Sequence, residues 1–277
     1  MIQLTDRALS PQALAQLQKH QAQVDAKPTW AEKVAEAARM WKPQNRAFDE
    51  ITEQLIAMCP GTRRCCYCED ARAEDVEHYR PKSRYPEDAY VWENYLYACS
   101  ACNSNAKRDQ FAVIVDGKRQ ALPAGVEPIN GQPALINPRY ENPLDFLELD
   151  LLRTFEFGVR EGLSELDQQR ADYTIEVLQL NKRVELVDWR QKSYRVFVGW
   201  VDTYARYERA QDLNALQAHY NDLKSYTHLA VWEEMKRTYS TKDPDYWENT
   251  LKPTYARIRE IDALFRDNDE LLTLQLP

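Results

Sequence analysis

Glycine is scarce in this chain, with seven in 277 residues, and histidine scarcer, with four. So little glycine disfavours a β-sandwich or barrel, whose many tight turns draw on it. No apolar run approaches the roughly 18 residues of a membrane span. The opening Met1-Ile2-Gln3-Leu4-Thr5-Asp6-Arg7 lacks the apolar core of a secretion signal. A soluble cytoplasmic protein with no membrane association is therefore expected. Internal repeats and low-complexity tracts are also missing. So is an excess of positive charge: 36 Lys and Arg face 44 Asp and Glu, for a formal charge of −8. That balance argues against indiscriminate coating of nucleic acid.

What remains is a globular composition, 44% hydrophobic and 29% charged, in a chain long enough to bury a core. The expected class is α+β, mostly helical. Residues 1–59 read as helices. Ser10-Pro11 supplies an N-cap followed by proline at the first helical position, and Thr29-Trp30-Ala31-Glu32 fits a capping box. Val34, Ala35, Ala38 and Trp41 recur at helical spacing, as do Phe48, Ile51, Leu55 and Ile56 before Pro60-Gly61. Residues 113–163 hold most of the glycine and much of the proline, and read as connecting loops and short strands. Phe155 and Phe157 alternate with polar neighbours in one such strand. From 164 to 277 the pattern is helical again. Val187, Tyr194, Phe197, Val198, Val201 and Tyr204 form one stripe, and further helices are expected near 210–238 and 253–267. The tail Leu271 to Leu276 is apolar enough to pack on the body or to meet a partner.

Residues 60–112 differ in kind. Five of the six cysteines fall here, and across 61–120 the charges cancel, so the whole −8 belongs to the rest of the chain. Cys65 and Cys68 form one C-x-x-C pair, and Cys99 and Cys102 a second. Paired knuckles of this spacing supply the four soft ligands of a tetrahedral structural zinc. Disulfides are the weaker reading, because cysteines three apart rarely suit a bridge and nothing suggests export. Cys66 neighbours a ligand but offers a poorer knuckle, and Cys59 reads as a small buried hydrophobe. A four-cysteine zinc site is closed and has no position for substrate, so its role is to pin loops together.

Between the knuckles run Asp75-Val76-Glu77-His78-Tyr79-Arg80-Pro81-Lys82-Ser83 and then Asn94, with Asn103 directly after Cys102. This order of acid-His, Asn, Asn through two C-x-x-C pairs resembles the HNH, or ββα-metal, nucleases. The resemblance implies a zinc-stapled ββα-metal module embedded between the N-terminal helices and a C-terminal helical region. It implies His78 as general base for an attacking water and Glu77 and Asn103 as ligands of a catalytic Mg²⁺ or other divalent cation. Asn94 would brace the loop that carries His78. The chemistry suits the residue types: His titrates near working pH, and a hard cation takes oxygen ligands. Asn105 is an alternative third ligand. Arg80, Lys82, Lys107 and Arg108 are candidate phosphate contacts. Lys107 lies one residue beyond a common Asn-x-x-Lys spacing, and Glu77 and Asn103 stand where the wider family often has Asp and His. Tyr67, Tyr79, Tyr85 and Trp92 read as a small core.

A longer string is more specific. It comprises Cys65-Cys66-Tyr67-Cys68-Glu69, Val76 to Ser83, Asn94-Tyr95-Leu96, Cys102-Asn103-Ser104-Asn105, Leu135-Ile136-Asn137-Pro138-Arg139-Tyr140 and Pro143-Leu144-Asp145-Phe146. Over about residues 60–185 the chain resembles the HNH subunits of Septu-type anti-phage systems, the PtuB-like proteins, which include retron-associated members. The resemblance implies an endonuclease effector acting on DNA or a structured RNA such as tRNA. It also implies pairing with an ABC/RecF-like, PtuA-like ATPase, in some systems together with a retron RNA–DNA and a reverse transcriptase. The chain has no G-x-x-x-x-G-K-S/T phosphate loop, so ATP dependence belongs to a second protein. The competing readings are a stand-alone restriction-type HNH nuclease and a catalytically silent zinc-stapled scaffold.

Overall fold

The computed structural model describes residues 1–41, 46–59, 63–70 and 72–238. The helix expected near 253–267, the apolar tail and Pro60-Gly61 lie outside the described residues.

Three helices open the chain: α1 (Pro11–Asp25), α2 (Trp30–Met40) and α3 (Arg46–Met58). Their starts follow the sequence signals. The Ser10 hydroxyl accepts from the Ala13 amide, and Thr29 with Glu32 forms the reciprocal capping box. Ser10 also donates from its backbone N–H and its hydroxyl to the Glu50 carboxylate, at 2.7 and 2.8 Å, which ties the head of α1 to α3. The inward stripes of these helices include Leu17, Val24, Ala37, Phe48, Ile51, Leu55 and Met58, all buried.

Next comes a two-stranded antiparallel ribbon. Strand β1 (Asp75–His78) pairs with β2 (Tyr95–Ala98) in a register that sets His78 opposite Tyr95 and Glu77 opposite Leu96. A π-helical segment, Ala101–Lys107, follows directly. Such widened turns often occur at functional sites. Tyr67, Tyr79, Tyr85 and Trp92 are all buried around this unit, as a small core requires.

Residues 113–163, expected to be connecting loops and short strands, contribute to an antiparallel sheet ordered β4-β3-β5, formed by β3 (Ala112–Val115), β4 (Lys118–Ala121) and β5 (Gln132–Pro133). Asp116 and Gly117, at φ 50° and 74°, make the two-residue hairpin between β3 and β4. Positive φ at both turn positions matches the twist of the strands. A second ribbon joins β6 (Leu147–Leu149) to β7 (Phe157–Val159); the strand expected to carry both Phe155 and Phe157 begins only at Phe157, and Phe155 precedes it at a positive φ of 56°.

The C-terminal helices are α4 (Glu165–Val177), α5 (Val184–Arg209), α6 (Leu213–Ser225) and α7 (Leu229–Thr238). Ser164 caps α4 through the Asp167 amide. The helix expected over 210–238 is therefore two helices, parted at Tyr226-Thr227-His228. Buried arginines join the layers. Arg170 on α4 pairs with Glu141 at 2.7 Å and donates to the Pro133 carbonyl. Arg139 donates to the Trp92 carbonyl at 2.5 Å and pairs with Asp6 at 2.8 Å. Among the described residues no helix is long and apolar enough to cross a membrane.

Candidate active site and metal centre

The two knuckles converge. Cys65, Cys68, Cys99 and Cys102 are all buried, and their sulfurs lie within 4.8 Å of one another. Cys68 and Cys99 Sγ are 3.8 Å apart. A Zn–S bond of about 2.3 Å sets tetrahedral sulfurs about 3.8 Å apart, so the donor set has the spacing of a structural zinc site. The chain turns sharply after the first knuckle, where Glu69 takes a positive φ of 61° and its amide returns to the Cys65 carbonyl at 2.9 Å. Cys66 and Cys59 are buried outside the cluster.

This cluster holds the root of the β1–β2 ribbon; Glu77, His78 and Asn94 sit toward its far end, whereas Asn103 bonds Asp75 at the root. His78 is 5% exposed, wedged against Trp41 at 4.3 Å between ring centroids and edge-on to Tyr95 at 5.2 Å. Its Nε2 lies 2.9 Å from the Ala89 carbonyl. A carbonyl oxygen only accepts, so the ring proton is assigned to Nε2 and Nδ1 keeps its lone pair. Burial, reinforced by the positive charge of Lys82, pushes the His78 pKa down to about 3, which keeps the imidazole neutral and, against the expectation of a base titrating near working pH, weakens it as a proton acceptor.

Asn94 clamps the loop beyond His78. Its side-chain oxygen accepts from the Arg80 amide at 2.7 Å, and its NH₂ donates to the carbonyls of Arg80 and Asp88 at 3.0 and 2.9 Å. The Tyr79 amide also reaches the Asn94 carbonyl at 2.9 Å. Every polar group of that side chain is thus engaged in fixing the loop.

A cavity of about 690 Å³ lies along β1, walled by Glu77, His78, Lys82, Asn103 and Arg108, with Val34, Ala38 and Trp41 of the α2 arm opposite. Asn103, and not Asn105, lines it. Among the described residues of this lining, four acids (Glu74, Asp75, Glu77 and Asp109) face two bases, Lys82 and Arg108. A cavity of that sign suits a cation before it suits a phosphate. Two of its residues carry no obvious sequence signal. Asp75 lies two residues before Glu77, on the same face of β1, and accepts from Asn103 Nδ2 and Ser100 Oγ at 3.2 Å each. Trp41 forms the wall behind the base. The alternation of β1 singles out Asp75 once the strand is known, whereas Trp41 looks like any helix-stripe aromatic.

The basic candidates part company. Lys82 lines the cavity with its ammonium 5.2 Å from the Trp41 ring, and Arg108 lines it from an exposed position. Arg80 pairs with Asp88 at 3.3 Å and faces a separate groove with Asn94 and Tyr140. Lys107 is fully buried, with Nζ 2.5 Å from Glu77 Oε1 and 2.9 Å from the His78 carbonyl. That position corrects the expectation of a phosphate contact: its ammonium is taken up by the two residues of the acid-His pair. Burial raises the pKa of Glu77 and Lys107 opposes the rise. No cluster of three or more acidic, histidine or cysteine ligands other than the four cysteines occurs among the described residues.

These features define an α+β protein with a four-cysteine cluster able to hold zinc and a polar cavity beside a buried neutral histidine. The chain is similar to the Septu protein PtuB of Bacillus thuringiensis, at 26% identity over 48% of this chain and 43% of that protein. It thus aligns with less than half of that relative's length. The similarity supports a distant, Septu-like relationship. No family model matches the chain.

Proposed function

We propose that the chain is a metal-dependent HNH-type endonuclease, the effector of a two-component anti-phage defence system whose second component is a PtuA-like ATPase. Residues 60–112 form its catalytic core, and the region from 164 to 277 carries the partner-binding surface. The observation that carries this reading is His78 itself. It is a neutral imidazole with one nitrogen fixed on the Ala89 carbonyl and the ring on the wall of a cavity shared with Glu77 and Asn103.

The chemistry follows from those contacts. Ala89 and Trp41 fix the imidazole, so that Nδ1 accepts the proton of an attacking water. Asn94 holds the following loop, which keeps Lys82 at the rim, where its ammonium meets a phosphate oxygen. Glu77 and Asn103, with Asp75 beside them, offer hard oxygen donors of the kind that Mg²⁺ takes. A divalent cation bound there stabilises charge on the phosphoryl and leaving oxygens. Lys107 balances Glu77 and holds the end of β1 through the His78 carbonyl. The similarity to a Septu protein supports the defence setting, and the absence of a phosphate loop in the sequence leaves ATP hydrolysis to the partner.

The test is His78→Ala in the chain expressed with the proposed PtuA-like ATPase. Cleavage of DNA and tRNA in Mg²⁺ is expected to fall by at least the ~10²–10⁴-fold typical of a general acid–base group, and phage protection to vanish with it, while zinc content and the melting curve persist. Unchanged cleavage by a folded, zinc-loaded variant refutes the assignment.

A further inference from the structure

The four cysteines draw a contact from far along the chain. Arg183, in the link between α4 and α5 and 81 residues from Cys102, donates from Nη2 to Cys102 Sγ at 3.1 Å and to the Leu178 carbonyl at 3.2 Å. Four thiolates around one Zn²⁺ leave a net charge of −2, and these sulfurs are buried. A buried charge is costly unless paired and hydrogen-bonded. Among the described residues, Arg183 is the cationic side chain that hydrogen-bonds a sulfur of the cluster.

The surroundings show what this contact joins. Arg190, one helical segment further on, is itself buried and donates to the carbonyls of Leu180 and Phe155 at 2.8 and 3.2 Å, which fixes the path of the link. On the other side of the cluster, Glu69 follows Cys68 directly. Its carboxylate accepts from the Ala230 amide at 3.1 Å and its carbonyl from the Thr227 hydroxyl at 2.7 Å, both at the head of α7. The first knuckle and the second are therefore each bound to a different part of the C-terminal helices.

We propose that Arg183 is the countercharge of the zinc–thiolate centre. Through it the bound metal fastens the α4–α5 link, and the helices beyond, onto the β1–β2 ribbon. Zinc is then a long-range staple between the N- and C-terminal halves as well as a local one. This inference rests on zinc binding and is independent of phosphodiester hydrolysis.

The test uses the full chain, purified with its metal, as wild type, Arg183→Met and Arg183→Gln. Three quantities are read: zinc per chain, the rate of zinc transfer to excess pyridylazoresorcinol, and amide hydrogen exchange across 178–190. A cobalt-substituted sample adds the thiolate-to-metal charge-transfer band. Wild type is expected to hold one zinc. Arg183→Met is expected to hold zinc too but to release it about 10–100-fold faster, the ratio that loss of a hydrogen bond to a charged group produces. Its cobalt band moves to longer wavelength, and exchange rises in the link while the β1–β2 ribbon stays protected. Should the methionine variant fail to fold, Arg183→Gln, which keeps a polar side chain but loses the charge, is expected to show the same faster release. Wild-type release and an unmoved cobalt band in a folded variant overturn the proposal, as does a wild-type chain purified without zinc.

Discussion

At the scale of single residues, Lys107 shows how burial redirects a charge. Read from the sequence it is one of four candidate phosphate contacts, with Arg80, Lys82 and Arg108. In the fold it is fully buried and its Nζ lies 2.5 Å from Glu77. Removing one partner of such a pair leaves an uncompensated buried charge, which costs about 3–5 kcal/mol, whereas replacing both with neutral groups is often close to neutral. Lys107→Met is therefore expected to lower the unfolding free energy by that amount, and Lys107→Met with Glu77→Gln to recover most of the loss. Denaturant unfolding of the zinc-loaded chain measures both. Equal destabilisation in the single and double variants means that the ion pair is not the cause.

At the scale of elements, the β1–β2 ribbon is too short to stand alone. Two strands of four residues are marginal in water without packing or a cross-link, and the cysteine cluster binds their root. Structural zinc in small domains contributes about 10–16 kcal/mol of apparent binding free energy, comparable with the ~5–15 kcal/mol stability of a whole domain. Cys99→Ser is accordingly expected to lose zinc and, with it, cooperative unfolding of the chain, read by metal analysis and a melting curve. A soluble, cooperatively folded, zinc-free Cys99→Ser protein removes the staple from the account. Much of this element was legible beforehand, because it rests on local chemistry. Two C-x-x-C pairs announce a cluster, Ser10 and Thr29 announce helix starts, and Asn94 stands where the family resemblance places a loop brace. What was not legible depends on tertiary position. Trp41 reads as a helix stripe until α2 is seen to back onto His78, Asp75 reads as one acid among many until the strand alternation sets it beside Glu77, and nothing local in Arg183 points to a sulfur 81 residues away. Short strands were expected in 113–163, but the pairing order β4-β3-β5 was not legible, since one of those strands is two residues long.

At the scale of the whole molecule, charge sets the terms on which a polyanion can approach. The chain carries −8, and among the described residues the candidate cavity adds more acids than bases to its wall, with Lys82 and Arg108 as the cationic side chains that line it. Each phosphate neutralised by the protein contributes about −0.9 to the slope of log affinity against log salt on duplex DNA. Two such contacts give a slope of about −2, far shallower than that of a dedicated DNA-binding protein, and too few to hold a duplex against the repulsion of the rest of the surface. The isolated chain, as the cleavage-deficient His78→Ala variant in Mg²⁺, is therefore expected to bind labelled duplex DNA and tRNA no more tightly than the ~10⁻⁴–10⁻⁶ M range of non-specific association at physiological salt. Complexed with the proposed ATPase, the same variant is expected to bind more tightly and with a steeper slope, because the partner then supplies the missing phosphate contacts. Fluorescence anisotropy across a salt series reads both quantities. Submicromolar binding by the isolated chain, with a slope well beyond −2, places the recognition surface on this molecule and favours a nuclease that works alone.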